Sequence, residues 1–165
     1  GGSSVPILPA NLLLKTAKGE TRYMNYESLS DGGFATGSMM GSGGFIVLDE
    51  DQCVVRHTMT LARFYRHESC GQCSPCREGT GWMEKVLRRL EHGQGHMHDI
   101  DLLAEINKKI EGNTICPLGD AAAWPVASAI RHFREEFEYH IKYPEKVKNP
   151  KHFEPQPAGE QTGAR

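Results

Sequence analysis

Three cysteines at C-x2-C-x2-C spacing, Cys70, Cys73 and Cys76, are answered 40 positions later by Cys116 in Thr114-Ile115-Cys116-Pro117. Thiolates are ligands for soft and borderline metals, and three in one short loop can face a single inorganic core. The run matches the first three ligands of the bacterial ferredoxin pattern, and a remote Cys followed by Pro supplies a fourth. A cubane needs one thiolate at each of four corners, so a compact loop plus one distant segment suits a 4Fe–4S cluster. Gly71 lets the loop bend tightly, and backbone N–H groups there can hydrogen-bond to cluster sulfurs. Structural zinc is the competing chemistry. It usually draws on two separated CxxC pairs or a Cys/His mixture, whereas these cysteines divide three and one, with no His within four residues of Cys116. A structural zinc module that only docks partners stays open as the alternative.

The residues around this set are weighed in the same way. Four thiolates on a cubane leave a net negative charge that grows on reduction. Arg77 after the third Cys, and Arg63, Arg66 and His67 before the loop, are cations that would ease electron uptake. Solvated basic side chains are the plainer reading of Arg63 and Arg66. Cys53 stands alone on a predicted helix and reads as small apolar filler. His92, His96 and His98 read as a solvated loop, and Trp82, Trp124, Phe133 and Phe137 as core. No Ser/His/Asp arrangement or carboxylate pair offers acid–base or nucleophilic chemistry, so no catalytic residue is assigned. The chemistry that remains is storage and relay of single electrons.

The elements that must position these thiols follow from patterning in the 165-residue chain. With 19 basic and 21 acidic residues and a net charge of −2, there is no basic stripe for nucleic acid. No segment approaches the ~18 apolar residues of a bilayer span. The opening Gly1-Gly2-Ser3-Ser4-Val5 is no signal peptide, and the sequence reads as the C-terminal part of a longer polypeptide. Five cysteines, four of them in one site, fit a reducing compartment. Residues 1–50 are glycine-rich and β-like, with short strands expected at Val5-Pro6-Ile7-Leu8-Pro9 and Gly44-Phe45-Ile46-Val47-Leu48. That region lacks the glycine order of a nucleotide-phosphate loop.

From residue 51 the period becomes helical. A first helix carries Val54, Val55, Met59, Leu61, Ala62 and Tyr65 and ends at His67-Glu68. A second carries Met83, Val86, Leu87 and Leu90, with Thr80 as N-cap and Gly93 as stop. A third is capped by Asp99 and carries Leu103, Ile106 and Ile110, with Lys108 and Lys109 suiting its C-terminal dipole. A fourth starts near Asp120, with Pro125 early in it, and carries Val126, Ile130, Phe133, Phe137 and Ile141. The expected fold is α+β: a four-helix domain over 51–142 that carries the cysteines, after a glycine-rich β-like part over 1–50. Residues 143–165 turn polar and proline-bearing, which predicts an extended or disordered tail.

Glu68-Ser69-Cys70-Gly71-Gln72-Cys73-Ser74-Pro75-Cys76-Arg77-Glu78-Gly79-Thr80, with Thr114-Ile115-Cys116-Pro117-Leu118-Gly119-Asp120-Ala121-Ala122-Ala123-Trp124-Pro125, resembles the flavoprotein (NADH-binding) subunit of respiratory complex I, the NADH:quinone oxidoreductase. The likeness runs from Gly1 to about Ile141, and it implies that residues 1–50 are the end of a β-grasp-like domain and 51–142 a C-terminal four-helix bundle iron–sulfur domain. It implies that Cys70, Cys73, Cys76 and Cys116 ligate a 4Fe–4S cluster that takes electrons from FMN, itself reduced by NADH. The flavin and nucleotide sites of that family lie mostly in an N-terminal α/β domain absent from these residues, so only the cluster ligands carry over. Other iron–sulfur subunits are the implied partners, in a complex peripheral to the inner membrane on its cytoplasmic side. Many relatives have Ala where this chain has Pro117, which removes one backbone N–H from that corner. The diaphorase subunit of an NAD-linked hydrogenase or formate dehydrogenase is the neighbouring reading.

Overall fold

Val55, Thr58, Ala62 and Tyr65 recur at the turn of a helix and are buried together along α1, Val54–Glu68. The computed structural model describes residues 13–15, 21–23, 41, 46–49 and 51–145. Three further helices follow among the described residues: α2 (Ser74–Glu91), α3 (Met97–Ile110) and α4 (Leu118–Lys142). Each packs against the next in the chain, α4 closes back on α1, and α2 touches α4 across the middle. Val55, Met83, Leu87, Leu90, Ile100, Leu103, Ile110, Val126 and Phe137 fill the centre of this ring. Burying each such side chain stabilises the fold by about 1.5–3 kcal/mol.

The helix starts differ from the sequence expectation, and the differences bear on the site. Thr80 does not cap α2. The helix begins two turns earlier with Cys73 as N-cap and Pro75 in the first turn, where its missing N–H costs nothing. Thr80 is instead fully buried within the helix, its hydroxyl donating to the Cys76 carbonyl at 2.7 Å. Asp99 likewise is not the N-cap of α3 but its third residue. It accepts from the backbone N–H of the true cap, His96, at 2.8 Å, while the Asp99 backbone N–H donates to the His96 carbonyl at 2.9 Å. Arg89 of α2 also binds the Asp99 carboxylate, which fixes the start of α3 to the end of α2.

Helix α4 starts at Leu118, two residues before Asp120, and carries Pro125 in its interior. Its backbone leaves helical geometry at Phe133 (φ −132°, ψ 29°), and Phe133 is 44% exposed. The expected apolar stripe therefore skips that position and resumes at Phe137. Trp82, also expected in the core, is 52% exposed on α2.

Ahead of the helices, β1 (Leu13–Lys15) pairs antiparallel with β2 (Thr21–Tyr23), with Leu14 opposite Arg22. Neither was expected. Residues 46–49 are exposed and form no strand, so the described part of the expected 44–48 strand is absent. The expected strand at 5–9 and residues 146–165 lie outside the described residues.

Candidate iron–sulfur centre

The three clustered cysteines lie where α1 hands over to α2. Ser69 caps the end of α1, its backbone N–H donating to the Tyr65 carbonyl at 3.0 Å. Gly71 then takes φ +79°, a conformation that a side-chain-bearing residue adopts only at a cost, and the chain reverses into α2. Cys73 becomes the N-cap of α2 and Cys76 falls in its first turn. The early helix start thus moves two of the three thiols from a free loop onto a rigid element.

The fourth thiol reaches the same place through a short segment between α3 and α4. The Ile115 backbone N–H donates to Cys73 Sγ at 3.4 Å, joining the two cysteine segments across 42 positions. Thr114 Oγ1 donates to the Cys116 carbonyl at 3.0 Å, and Gly112 N–H donates to Asp120 Oδ1 at 2.7 Å. Trp124 donates from Nε1 to Glu111 Oε1 at 2.9 Å. Together these bonds tie the approach to Cys116 onto the first turns of α4. Gly119 permits the close contact: a Cβ there would come 2.9 Å from Thr114 Cβ.

Cys76 is buried, Cys73 half-buried, and Cys70 and Cys116 exposed; none of the four is in a disulfide. Four thiolates on one zinc at about 2.3 Å stand roughly 3.8 Å apart. Among the described residues, no three of these sulfurs come within 4.8 Å of one another. An all-sulfur donor set from one turn, one helix start and one remote segment fits the larger inorganic core of a cubane.

The local electrostatics suit an anionic group. The N-terminal ends of both α2 and α4 adjoin the cysteines, and each carries the positive end of a helix dipole. Ser69 Oγ lies 3.2 Å from Cys76 Sγ and accepts from Gly71 N–H at 3.3 Å. Arg77 folds over the turn, donating from Nη1 to the Gly71 carbonyl at 2.7 Å and from Nε to Glu78 at 2.9 Å. Of the four cations singled out in the sequence, Arg77 is the one bonded to the cysteine turn. Arg66 binds Glu84, and His67 pairs with Glu68 in solvent.

Cys53 is not mere filler. It is the N-cap of α1, and its Sγ accepts from Arg56 N–H at 3.3 Å while lying 3.3 Å from His140 Nε2 and 3.7 Å from Glu91 Oε2. Burial pushes its thiol above the ordinary range. Nothing in the linear sequence signals this group, whose outer members are 87 positions apart.

Comparison with known proteins agrees with the geometry. Residues 56–140 match the family described as the NADH-ubiquinone oxidoreductase-F iron-sulfur binding region. The chain is 51% identical over 142 residues to an NADH-quinone oxidoreductase subunit of Rickettsia bellii, covering 86% of this chain and 32% of that one. It is 47% identical to the mitochondrial NADH-ubiquinone oxidoreductase 51 kDa subunit of Neurospora crassa, covering 86% of this chain and 27% of that one. The chain thus spans about a third of the length of these curated relatives. Among solved structures, the H2-reduced NAD+-reducing NiFe-hydrogenase aligns with a TM-score of 0.65 at 30% identity, covering 86% of this chain and 22% of that one. By its sequence over residues 56–140, the chain belongs to the NADH-ubiquinone oxidoreductase-F iron–sulfur binding region family.

Proposed function

We propose that Cys70, Cys73, Cys76 and Cys116 hold one 4Fe–4S cluster, and that this chain is the electron-transfer portion of an NADH:quinone oxidoreductase. The observation that carries the reading is the 3.4 Å bond from Ile115 N–H to Cys73 Sγ, which sets the fourth thiol's segment against the other three. The cluster would supply one-electron storage. The chain's own residues do the rest. The starts of α2 and α4 place positive dipole ends beside the thiolates, Arg77 braces the turn, and Ser69 offers a hydroxyl to Cys76. FMN and NADH would bind in the remaining two-thirds of a full-length subunit, the acceptor being another iron–sulfur subunit of the complex.

In this reading residues 51–142 are the cluster domain, 1–50 the end of a β-grasp-like domain, and 143–165 a tail. Among the described residues no helix is long and apolar enough to cross a membrane. The assembly proposed here places the chain in the peripheral arm of its complex, on the cytoplasmic side. Identity is 51% to the quinone-reducing relative and 30% to the hydrogenase, which favours the respiratory complex over a hydrogenase diaphorase. The test is direct. Anaerobically purified protein is expected to be brown, to hold about four irons and four sulfides per chain, and to bleach with dithionite. Replacing any of the four cysteines by Ala should lose or convert the cluster. Colourless protein carrying one zinc on four sulfurs would overturn the assignment.

A further inference from the structure

At the end of the bundle opposite the cysteine turn, three side chains from three elements converge. Cys53 caps the start of α1, Glu91 is the last residue of α2, and His140 lies near the end of α4. One ligand atom from each lies within 4.8 Å of the other two. All three are buried, His140 completely. Helix α1 is 15 residues long, so this cluster stands roughly 22 Å along the bundle from the Cys70–Cys76 turn. It owes nothing to the ligand set described above, and its argument does not depend on the function proposed there.

We propose that Cys53, Glu91 and His140 form a second metal site, for a divalent cation of the zinc type. One thiolate, one imidazole and one carboxylate are the donor types that zinc takes together. With Zn–S near 2.3 Å and Zn–N and Zn–O near 2.0–2.2 Å, the edges of a zinc tetrahedron are about 3.3–3.6 Å. Cys53 Sγ is 3.3 Å from His140 Nε2 and 3.7 Å from Glu91 Oε2, close to those edges. Glu136, one turn before His140 on α4 and itself 4% exposed, borders the group without joining it, so the fourth position is left to water. Its Oε1 accepts from the backbone N–H of Val54, the residue next to Cys53, at 2.7 Å.

The surroundings orient these donors as outer partners orient metal ligands. Arg56 Nε binds Glu91 Oε1 at 2.5 Å, which leaves Oε2 to face the cysteine and histidine. Arg56 also donates its backbone N–H to Cys53 Sγ. A divalent cation with one thiolate and one carboxylate is neutral, and the neighbouring Glu136 carboxylate offsets the Arg56 guanidinium. Such an ion would clasp these ends of α1, α2 and α4, as the cluster would clasp the other end.

The experiment uses the cluster-bearing chain, expressed with zinc in the medium, purified without oxygen and washed with a weak chelator. Iron and zinc are counted together, and the zinc K-edge is read because the iron cluster does not contribute to it. The expected result is one zinc per chain beside the cluster iron, with a single sulfur near 2.3 Å and nitrogen or oxygen near 2.0–2.2 Å. Cys53→Ser should remove the sulfur from that shell. Cys53→Ala and His140→Ala should each bring zinc to background while iron stays unchanged. Zinc at background in the unmodified chain would overturn the proposal, since a closed network of thiol, imidazole and carboxylates would then be the whole structure. So would an all-sulfur shell, or zinc that persists in Cys53→Ala. If a variant fails to fold, the metal count and sulfur shell of the unmodified chain decide.

Discussion

Arg66 reaches from α1 to α2 and sets Nη1 2.5 Å from Oε2 of Glu84, whose side chain is 3% exposed. Arg88, one turn along α2, takes the other carboxylate oxygen. Burial alone would raise the Glu84 carboxyl, but the two guanidiniums outweigh it and hold the carboxyl below its ordinary value. This pair stitches α1 to α2 near the cysteine turn, so it helps to fix the angle of the handover.

Removing one partner leaves a buried carboxylate half-satisfied. Arg66→Ala is expected to lower stability by about 1–3 kcal/mol in denaturant unfolding. In a Glu84→Gln background the same change should cost much less, since the charge it served is gone. The double-mutant cycle reads the coupling directly. Equal costs in both backgrounds would show that the bridge contributes nothing.

Acid should weaken the fold in two stages. His57 is held below its ordinary value of 6.5 by burial, and His132 by burial with Arg131 adding to it. A base whose folded pKa is depressed takes up its proton more readily when unfolded. Its stability is therefore complete above about pH 6.5 and declines as the pH falls below that. Glu84, also depressed, contributes fully above its ordinary 4.5 and loses that contribution as the pH falls through its folded value. Urea midpoints measured from pH 8 to pH 2 should be flat at first, then fall in these two steps. His57→Gln should blunt the upper step and leave the lower one.

The helices and the three-cysteine turn were legible because both are written in local spacing. A 3.6-residue period marks α1 to α4, and C-x2-C-x2-C marks the site. The helix starts were misread where the cap was not a standard residue: Cys73 and His96 take positions for which Thr80 and Asp99 had the better propensity. Phe133 was misread because the backbone break shifts the phase of α4, which no apolar pattern announces. Contacts made only by folding were invisible. The Ile115–Cys73 bond spans 42 positions, and Cys53 meets His140 across 87.

Two glycines should separate strain in the turn from displacement of the fourth thiol. Gly71→Ala forces a side chain onto φ +79° at a cost of about 1 kcal/mol, with Arg77 Cδ at 3.6 Å leaving room for the methyl. Gly119→Ala drives a Cβ into Thr114 and moves the segment that carries Cys116. Iron content should fall further in Gly119→Ala than in Gly71→Ala, and Thr114→Gly should restore part of it. No recovery in the double variant would mean the loss does not run through Thr114.

Hydride from NADH needs a two-electron acceptor, whereas an iron–sulfur cluster takes single electrons. The 165 residues alone should therefore be reducible by dithionite but not by NADH, and should hold no FMN. The same residues within a subunit of the relatives' full length should be reduced by NADH. A spectrophotometric assay of both chains decides it. NADH oxidation by the short chain at the full-length rate would refute the division of labour.

The last expectation concerns Ser69, whose Oγ lies 3.2 Å from Cys76 Sγ. With Cys76 as a thiolate ligand, the sulfur has no proton to give, so the serine hydroxyl must donate. Reduction adds negative charge to the cluster, and a hydrogen bond to its sulfur stabilises the reduced form more than the oxidised one. Ser69→Ala removes that donor and should lower the reduction potential by tens of millivolts, given that about 59 mV corresponds to a tenfold change for one electron. Iron content should be unchanged, because the substitution touches no ligand. Ser69→Thr keeps the hydroxyl and should restore most of the potential. The measurement is a redox titration followed by electron paramagnetic resonance on all three proteins. An unmoved potential in Ser69→Ala would mean that the hydroxyl serves only the Gly71 N–H within the turn, whereas a shift reversed by Thr shows that the hydroxyl itself sets the potential.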